Sequence, residues 1–212
     1  MVEVIASNVG ALGGGTQLNS DQAQQPIVCA VDIGTSSLKA GLIDAGGSLL
    51  EWAREPFDIE EHGPLETWPA ESWWDAFVSA VRSFTRPGLI SAVAVSGNGP
   101  TIVPMDEQGR ALSEASLWIN RRDRFMQGEP SFFLPKVAWI AEHSPEIYDK
   151  ADFFLGCPEY VAYRLTGEKS AFTPSAEFSP YIWESSGIEA YSFVPDKFPS
   201  LLKTGNPVGR VR

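Results

Sequence analysis

Cysteine, histidine and methionine are scarce in this chain of 212 residues, which contains two, two and three of them. Cys29 lies in an apolar run and Cys157 precedes a proline, and this spacing fits neither a zinc site nor a disulfide framework. We expect both to be reduced thiols in or near a core. His62 and His143 are isolated in the sequence, which disfavours a catalytic centre built on histidine.

Basic residues are also few, since 16 Lys and Arg face 27 Asp and Glu and the formal charge is −11. This charge opposes extended contact with nucleic acid phosphates or an anionic membrane surface. The first 26 residues contain neither a basic segment nor a long apolar run, so they resemble neither a secretory signal nor a membrane span. We expect a cytoplasmic protein that acts on small molecules, without a nucleic acid or membrane partner.

The chain divides into a short N-terminal segment and a longer folded unit. A triple glycine at 13–15 and a polar stretch at 17–25 predict that residues 1–26 form a flexible N-terminal extension. Hydrophobic residues make up 43% of the whole chain. We expect residues 27–212 to form the globular part.

Hydrophobic patterning predicts the order of elements in that unit. Three strands follow one another at 27–33, 37–44 and 48–57, joined closely enough for an antiparallel meander. A helix begins after Pro69, a nearly continuous apolar strand follows at 89–95, and a further strand follows at 101–105. Helical patterns recur later, at 132–143 and 159–165. This order predicts an α/β fold of the ribonuclease H-like type, with a mixed five-stranded sheet flanked by helices.

The turn after the first of these strands has the composition of a phosphate-binding loop. Asp32 stands at the end of the strand, and Gly34, Thr35 and Ser36 offer unhindered backbone amides and hydroxyls to an anion. Asp32 is a hard oxygen ligand that suits Mg²⁺, either directly or through water. The alternative interpretation is an ordinary hairpin turn with an acid at the strand end. Lys39 lies on the outgoing strand, where a solvated role and a phosphate role are equally open.

Further motifs follow this turn in a fixed order. Together they resemble the FGGY family of carbohydrate kinases, most closely its xylulokinase branch, from about residue 27 to the end of the chain. The resemblance implies an actin-like ATPase superfamily fold in which an N-terminal domain supplies most of a sugar site and a C-terminal domain supplies the adenosine site. MgATP would lie between the two domains. The motifs are Asp32 to Lys39, Trp73-Trp74, Ser96-Gly97-Asn98, Trp118 to Arg122, and Tyr160 to Glu168.

The same resemblance implies roles for individual residues. Asp32 would stand beside Mg²⁺ and the phosphates, and the backbone from Gly34 to Ser36 would contact the terminal phosphate. The side chains of Trp118 and Asn120 would contact a sugar or polyol. Independently of the resemblance, side chains just beyond a strand end can line a cleft, so the end of the strand from residue 89 places Asn98, Gly99 and Pro100 at the sugar site. For Trp118, a large aromatic residue of the core is the alternative interpretation.

Two departures from the family pattern fall on the substrate side. Gly99-Pro100 stands where xylulokinase-like members carry a Gln-Met-His run and glycerol kinase-like members an Arg-Glu pair. Asn120 replaces the aspartate of a Trp-x-Asp motif, and an amide gives up the charge-assisted hydrogen bond of a carboxylate. Neither family substrate is therefore assigned. Glu159 also stands where the family has an aspartate, and we expect it to act in helix capping or packing.

A further departure concerns the catalytic base. The resemblance implies an aspartate in a Gly-Gly-x-Asp-Asn-like motif, which does not occur up to Arg212, so we expect this base beyond Arg212. Without it the isolated chain should transfer phosphate slowly or not at all. A separately encoded C-terminal kinase domain or a homodimer would be its partner.

Three functions stay open at this point. The first is the N-terminal part of an ATP-dependent sugar or polyol kinase. The second is a catalytically inactive sugar-binding or regulatory remnant of such a kinase, favoured by Gly99-Pro100, by Asn120 and by the missing base. The third is another actin-like ATPase, which leaves the Trp118 and Tyr160 motifs unexplained.

Overall fold

The computed structural model describes residues 3–6, 26–58, 67–120 and 128–212, with the backbone alone for residues 3–6. His62, Arg121 and Arg122 lie outside the described residues, as does most of the expected N-terminal extension. The helices are α1 Ala70–Ser83, α2 Leu134–His143, α3 Pro145–Lys150, α4 Cys157–Thr166 and α5 Ser185–Ala190. The strands are β1 Glu3–Ala6, β2 Ile27–Ile33, β3 Ser37–Ile43, β4 Leu49–Pro56, β5 Thr67–Trp68, β6 Ile90–Gly97, β7 Val103–Met105, β8 Ala115–Ser116, β9 Phe153–Leu155, β10 Ala171–Thr173, β11 Leu201–Lys203 and β12 Pro207–Arg210.

The central sheet has the strand order β12-β1-β6-β2-β3-β4. Strands β2, β3 and β4 form the expected antiparallel meander, and β6 joins β2 in parallel after the crossover through α1. This is the ribonuclease H-like order expected from the sequence, and the fold class is confirmed. The expected number of five strands is wrong, because the described sheet contains six. The strand expected at 101–105 is β7, which pairs with β9 outside this sheet.

The additional strands lie at one edge and come from the two ends of the chain. Strand β1 pairs in parallel with β6 and antiparallel with β12. Patterning could not identify either strand, because each has four residues and its register is set by a partner distant in sequence. The expected extension at 1–26 therefore contains one strand, and for its remaining part it stays a prediction.

Side-chain burial alternates along the meander and shows which face of the sheet is covered. The odd-numbered residues of β2, from Ile27 to Ile33, are buried, whereas Asp32 on the other face is exposed. The buried face packs against Trp73 and Phe77 of α1 and against α4 in one apolar cluster. Since α1 and α4 also contact each other, both helices cover the same face of the sheet.

A second apolar cluster is built from the later part of the chain, around α2, α3 and α5. Strand β9 joins the two clusters, because Phe153 and Leu155 point into the first and Phe154 into the second. β9 pairs antiparallel with β7, and α4 begins two residues after it ends. This arrangement fixes the start of α4 beside the end of β6. In the described ranges, no helix combines the length and the apolar character needed to cross a bilayer.

Candidate functional site

In the turn between β2 and β3, the backbone of Gly34 lies close to the backbone of Ser37. The Gly34 amide donates to the Ser37 carbonyl oxygen (3.0 Å), and a Cβ on Gly34 would lie 3.2 Å from that same oxygen. In the described part of the chain, the amides of Thr35 and Ser36 have no hydrogen-bond acceptor. They are therefore free to bind an anion such as a phosphate.

Asp32 stands just before this turn, with its side chain about half exposed. It is the register partner of Lys39 across the hairpin, and the Lys39 Nζ lies 3.7 Å from its carboxylate. An exposed ion pair of this length contributes little to stability, so the carboxylate remains available to a ligand. Within residues 26–58, 67–120 and 128–212, no three His, Cys, Asp or Glu side chains are grouped to hold a metal ion. A single carboxylate such as Asp32 is the kind of hard oxygen donor that Mg²⁺ takes alongside phosphate and water.

The end of β6 lies against this turn. The Thr35 hydroxyl donates to Asn98 Oδ1 and the Asn98 Nδ2 donates to the Gly34 carbonyl oxygen, each over 3.4 Å. Because β2 and β6 are parallel neighbours, their carboxyl ends meet at one edge of the sheet, where α/β proteins bind ligands. Asn98 therefore connects the predicted phosphate loop to the predicted substrate side.

A cavity of about 600 Å³ opens from Asn98 and Gly99 toward the second apolar cluster. Its walls come from the end of β6, the segment after β8, the first turn of α4 and the segment after β10. The predicted substrate residues Asn98, Gly99 and Trp118 line it. Gly99 leaves open space, since a Cβ there would meet no atom within 4 Å. A cavity of this size accommodates a small organic ligand.

Asn120, the fourth predicted substrate residue, does not line this cavity. Its side chain is buried, and its Nδ2 donates to Ser116 Oγ (3.2 Å). Its backbone amide donates to the Leu117 carbonyl oxygen (3.0 Å), and Lys136 Nζ donates to its carbonyl oxygen (3.4 Å). The structure thus separates Trp118, which stands at the cavity, from Asn120, which holds the turn that carries Trp118.

Thr101, which follows Pro100, is fully buried and also lies outside the cavity wall. Its Oγ1 has no hydrogen-bond partner among the described residues. We assign it no contact with a ligand.

Glu159 brings a carboxylate into the cavity wall, a position for which the sequence predicted only helix capping or packing. It lies in the first turn of α4, and its Oε1 accepts the Phe172 amide of β10 (2.9 Å). Burial raises its pKa to about 7, and hydrogen bonds from Phe172 and from its own amide only partly oppose the rise. An acid following Gly156-Cys157-Pro158 at a helix start was the available signal, but nothing in the sequence shows that it faces a cavity.

The motif from Tyr160 to Glu168 is structural. Tyr160 Oη donates to Glu71 Oε2 of α1 (2.7 Å), and Arg164 hydrogen-bonds both Glu71 and Tyr160 while its guanidinium lies over the Trp74 ring. Desolvation raises the pKa of Glu71, and the hydrogen bonds from Arg164 and Tyr160 outweigh it, so that this pKa lies below its ordinary value. These contacts fix α4 on α1 and so place Glu159.

Comparison with known proteins agrees with this architecture. Residues 27–127 match the FGGY family of carbohydrate kinases, N-terminal domain. The xylulose kinase of Streptomyces rubiginosus is 29% identical over 222 residues, which cover 90% of this chain and 45% of that protein. The chain spans less than half the length of the curated relatives it matches.

Solved structures of sugar kinases have a similar fold. The "xyloylose kinase" of Brucella ovis superposes with a TM-score of 0.77 at 20% identity, covering 88% of this chain and 45% of that one. The gluconate kinase of Lactobacillus acidophilus gives a TM-score of 0.75 at 15% identity over 89% of this chain and 44% of that one. At these identities the likeness establishes the fold alone.

Proposed function

Because residues 27–127 carry the N-terminal domain of the FGGY family of carbohydrate kinases, we propose that the protein takes part in ATP-dependent phosphoryl transfer to a hydroxyl of a sugar or polyol. The observation that carries this proposal is the contact of Asn98 with both Gly34 and Thr35. It joins a loop with free amides to a cavity, so that a phosphate and an acceptor hydroxyl can meet there.

The residues of the chain have separate tasks in this proposal. The amides of Thr35 and Ser36 hold the terminal phosphate, and Asp32 holds Mg²⁺ directly or through water. When bound, Mg²⁺ neutralises charge on the phosphates. Asn98 and the backbone at Gly99 orient the acceptor, and Trp118 packs against its apolar face. Asn120 acts by positioning Trp118.

The adenosine site and the general base are proposed to come from outside these 212 residues, either from a longer form of the protein or from a separately encoded C-terminal kinase domain. Curated relatives more than twice as long as the stretch that this chain matches support this arrangement. We also propose a cytoplasmic location, because the proposed reaction consumes ATP and the chain is acidic.

Calorimetric titration of the chain with magnesium tripolyphosphate tests the phosphate loop without requiring an adenosine site. We expect measurable binding that is weakened about tenfold or more in Asp32→Asn, because loss of the carboxylate removes the magnesium ligand. Asp75→Asn is the matched control, since Asp75 is an exposed carboxylate on α1. Equal affinities of the wild type and Asp32→Asn would contradict the assignment.

A sugar-binding remnant without kinase activity is the second candidate. It is favoured by the burial of Asn120 away from the cavity and by the absence of a side chain at Gly99. Binding of a sugar or polyol to a chain that does not bind magnesium tripolyphosphate would support it.

A further inference from the structure

The strand beside β6 comes from outside the part of the chain that matches the kinase family. β1 pairs in parallel with residues 92–95 of β6, on the edge of β6 that faces away from β2. The family match begins at residue 27, and residues 7–26 separate β1 from β2. A segment that precedes the family match therefore covers this edge, which we call the outer edge of β6.

β1 also joins β12 to the sheet. In the strand order, β1 lies between β6 and β12, and its pairing with β12 is antiparallel. The register of this pair places Glu3 opposite Arg210, and opposite charges at facing positions stabilise an antiparallel pair. Without β1, the described sheet would lose the connection to β12 and expose the outer edge of β6.

The sequences of β12 and β6 differ in how well they suit an exposed edge. β12 contains Pro207, which has no amide hydrogen, and its register with β1 shifts between Val4 and Ile5. A proline and an irregular register both discourage the pairing of a further strand. β6 runs over eight residues, Ile90–Gly97, with neither a proline nor a charged residue. The outer edge of β6 is thus well suited to accept a strand through backbone hydrogen bonds.

The pairing of β1 is of a kind that opens locally. The strand has four residues, and its partners in β6 and β12 are distant in sequence, so its pairing closes long loops at a cost in entropy. Its pair with β6 is parallel, and parallel pairs are slightly less stable per residue than antiparallel ones. Terminal elements of this kind separate from a fold at a lower free energy than global unfolding requires.

We propose that the outer edge of β6 is a strand-docking surface and that the N-terminal segment of this chain occupies it reversibly. The surface recognises an extended, mostly apolar segment that runs parallel to β6, and backbone hydrogen bonds provide the affinity. While β1 is docked, β6 is protected from pairing with other chains. The proposal goes beyond the kinase function and is independent of it, because it involves no contact with a phosphate or a sugar.

A fluorescent peptide of residues 1–8 tests whether the edge accepts a strand from outside. In the full-length variant Ile5→Pro, proline removes an amide hydrogen from the chain's own β1. We expect the peptide to bind this variant about tenfold or more tightly than the wild type, because the competing strand in the same chain is weakened. Fluorescence anisotropy measures both affinities. Equal affinities, or binding to neither protein, would overturn the proposal.

The matched control peptide carries the same Ile5→Pro substitution. It keeps the charge and most of the apolar character of the wild-type peptide but cannot form the full set of backbone hydrogen bonds. We expect it to bind at least about tenfold more weakly, because docking depends on strand pairing. Equal binding of the two peptides would show that the contact is not a strand pair and would overturn the proposal.

A disulfide lock tests the same edge without weakening β1. Glu3→Cys and Arg210→Cys place two thiols at facing register positions, whereas the native cysteines Cys29 and Cys157 are buried. Oxidation of the full-length double variant should abolish peptide binding, and reduction should restore it to the wild-type level. The single variant Arg210→Cys is the control and should bind the peptide equally under both conditions. If Ile5→Pro does not fold, binding that persists in the oxidised double variant overturns the proposal.

The product of this oxidation also identifies the occupant of the edge. Docking within one chain gives a covalent monomer on non-reducing denaturing electrophoresis. A covalent dimer would show that the N-terminal strand of a second copy occupies the edge, and would overturn docking within the chain.

Hydrogen exchange of the wild-type protein distinguishes a docked strand from an integral one. We expect the amides of residues 3–6 to exchange about tenfold or more faster than those of β2, through an opening that leaves β2 paired with β3. Equal protection of β1 and β2 would show that β1 opens only together with the sheet, and would overturn reversible docking.

Discussion

Glu159 places a carboxyl group in an apolar wall, and this makes the stability of the protein depend on pH. Its ordinary pKa is 4.5, and burial raises the pKa in the folded protein to about 7. Between these values the unfolded chain releases the proton before the folded protein does. The contribution of Glu159 to stability is therefore complete below pH 4.5 and is lost as the pH rises through about 7.

Glu159→Gln should remove this dependence, because glutamine does not ionise and can still accept the Phe172 amide. From about pH 5 to about pH 8, the free energy of unfolding of the wild type should fall by roughly 2 to 3 kcal/mol more than that of the variant. Urea unfolding at the two pH values measures the difference. Glu146→Gln, at an exposed site in α3, is the control and should show the same pH dependence as the wild type. If the free energy of unfolding of Glu159→Gln falls with pH as much as that of the wild type, the buried carboxyl group of Glu159 is not the cause.

At the scale of elements, α4 determines the site. Its first turn carries Glu159 into the cavity wall, its Tyr160 and Arg164 contact Glu71 of α1, and Gly167 ends it with a left-handed φ of 76°. The helix thus connects the layer that covers the sheet to the cavity. The sequence motif from Tyr160 to Glu168 is therefore explained by the packing of α4 on α1 rather than by contact with a ligand.

Tyr160→Phe tests the contact between the two helices. Removing the hydroxyl leaves Glu71 and Arg164 with one partner fewer, and we expect a loss of about 1 kcal/mol in the free energy of unfolding. Tyr163→Phe on the same helix is the matched control, because the Tyr163 hydroxyl makes no hydrogen bond to the described part of the chain. If urea unfolding gives equal losses for both variants, the hydroxyl contact with Glu71 contributes nothing specific.

Gly167→Ala tests the end of α4. Gly167 and Gly205 both have positive φ angles, 76° and 92°, so alanine costs about 1 kcal/mol of backbone strain at either position. Only at Gly167 would the new methyl group also displace the Arg212 guanidinium, whose Nε donates to the Thr166 carbonyl oxygen (2.6 Å). We expect Gly167→Ala to lower the unfolding midpoint in urea more than Gly205→Ala does, and a larger effect at Gly205 would exclude this explanation.

At the scale of the whole molecule, α1 and α4 cover one face of the central sheet, and within the described ranges the other face, here called the uncovered face, has no helix of its own. On the uncovered face Trp52 exposes 67% of its surface, and Leu49 lies over Gly41 beside it. Together with Ala30 these residues line a shallow depression next to Asp32. Uncovered apolar surface of this kind favours association.

We expect the isolated chain to self-associate through this face, with a second copy covering Trp52. Trp52→Glu should lower the weight-average mass in sedimentation equilibrium, because a charge at the centre of the contact opposes burial. Val194→Glu introduces the same charge at another exposed apolar position and should leave the mass unchanged. A wild-type protein that stays monomeric at high concentration would contradict this expectation.

The sequence by itself determined the elements whose causes are local. The meander of β2 to β4, the helix after Pro69 and the strand that precedes Asn98 follow from alternation, helical spacing and turn residues within a few positions. The same local chemistry identified Gly34, Thr35 and Ser36 as a turn, in which the amides of Thr35 and Ser36 are free among the described residues. The family match over residues 27–127 likewise agrees with the resemblance that the motifs indicated.

Only the tertiary structure decided which side chains share a cavity. Asn120 is two residues from Trp118 yet faces Ser116, whereas Glu159 is distant in sequence and lines the same wall as Trp118. The short strands β1 and β12 likewise form only by pairing across the length of the chain. Cavity walls and edge strands depend on contacts between distant segments, and no local pattern records such contacts.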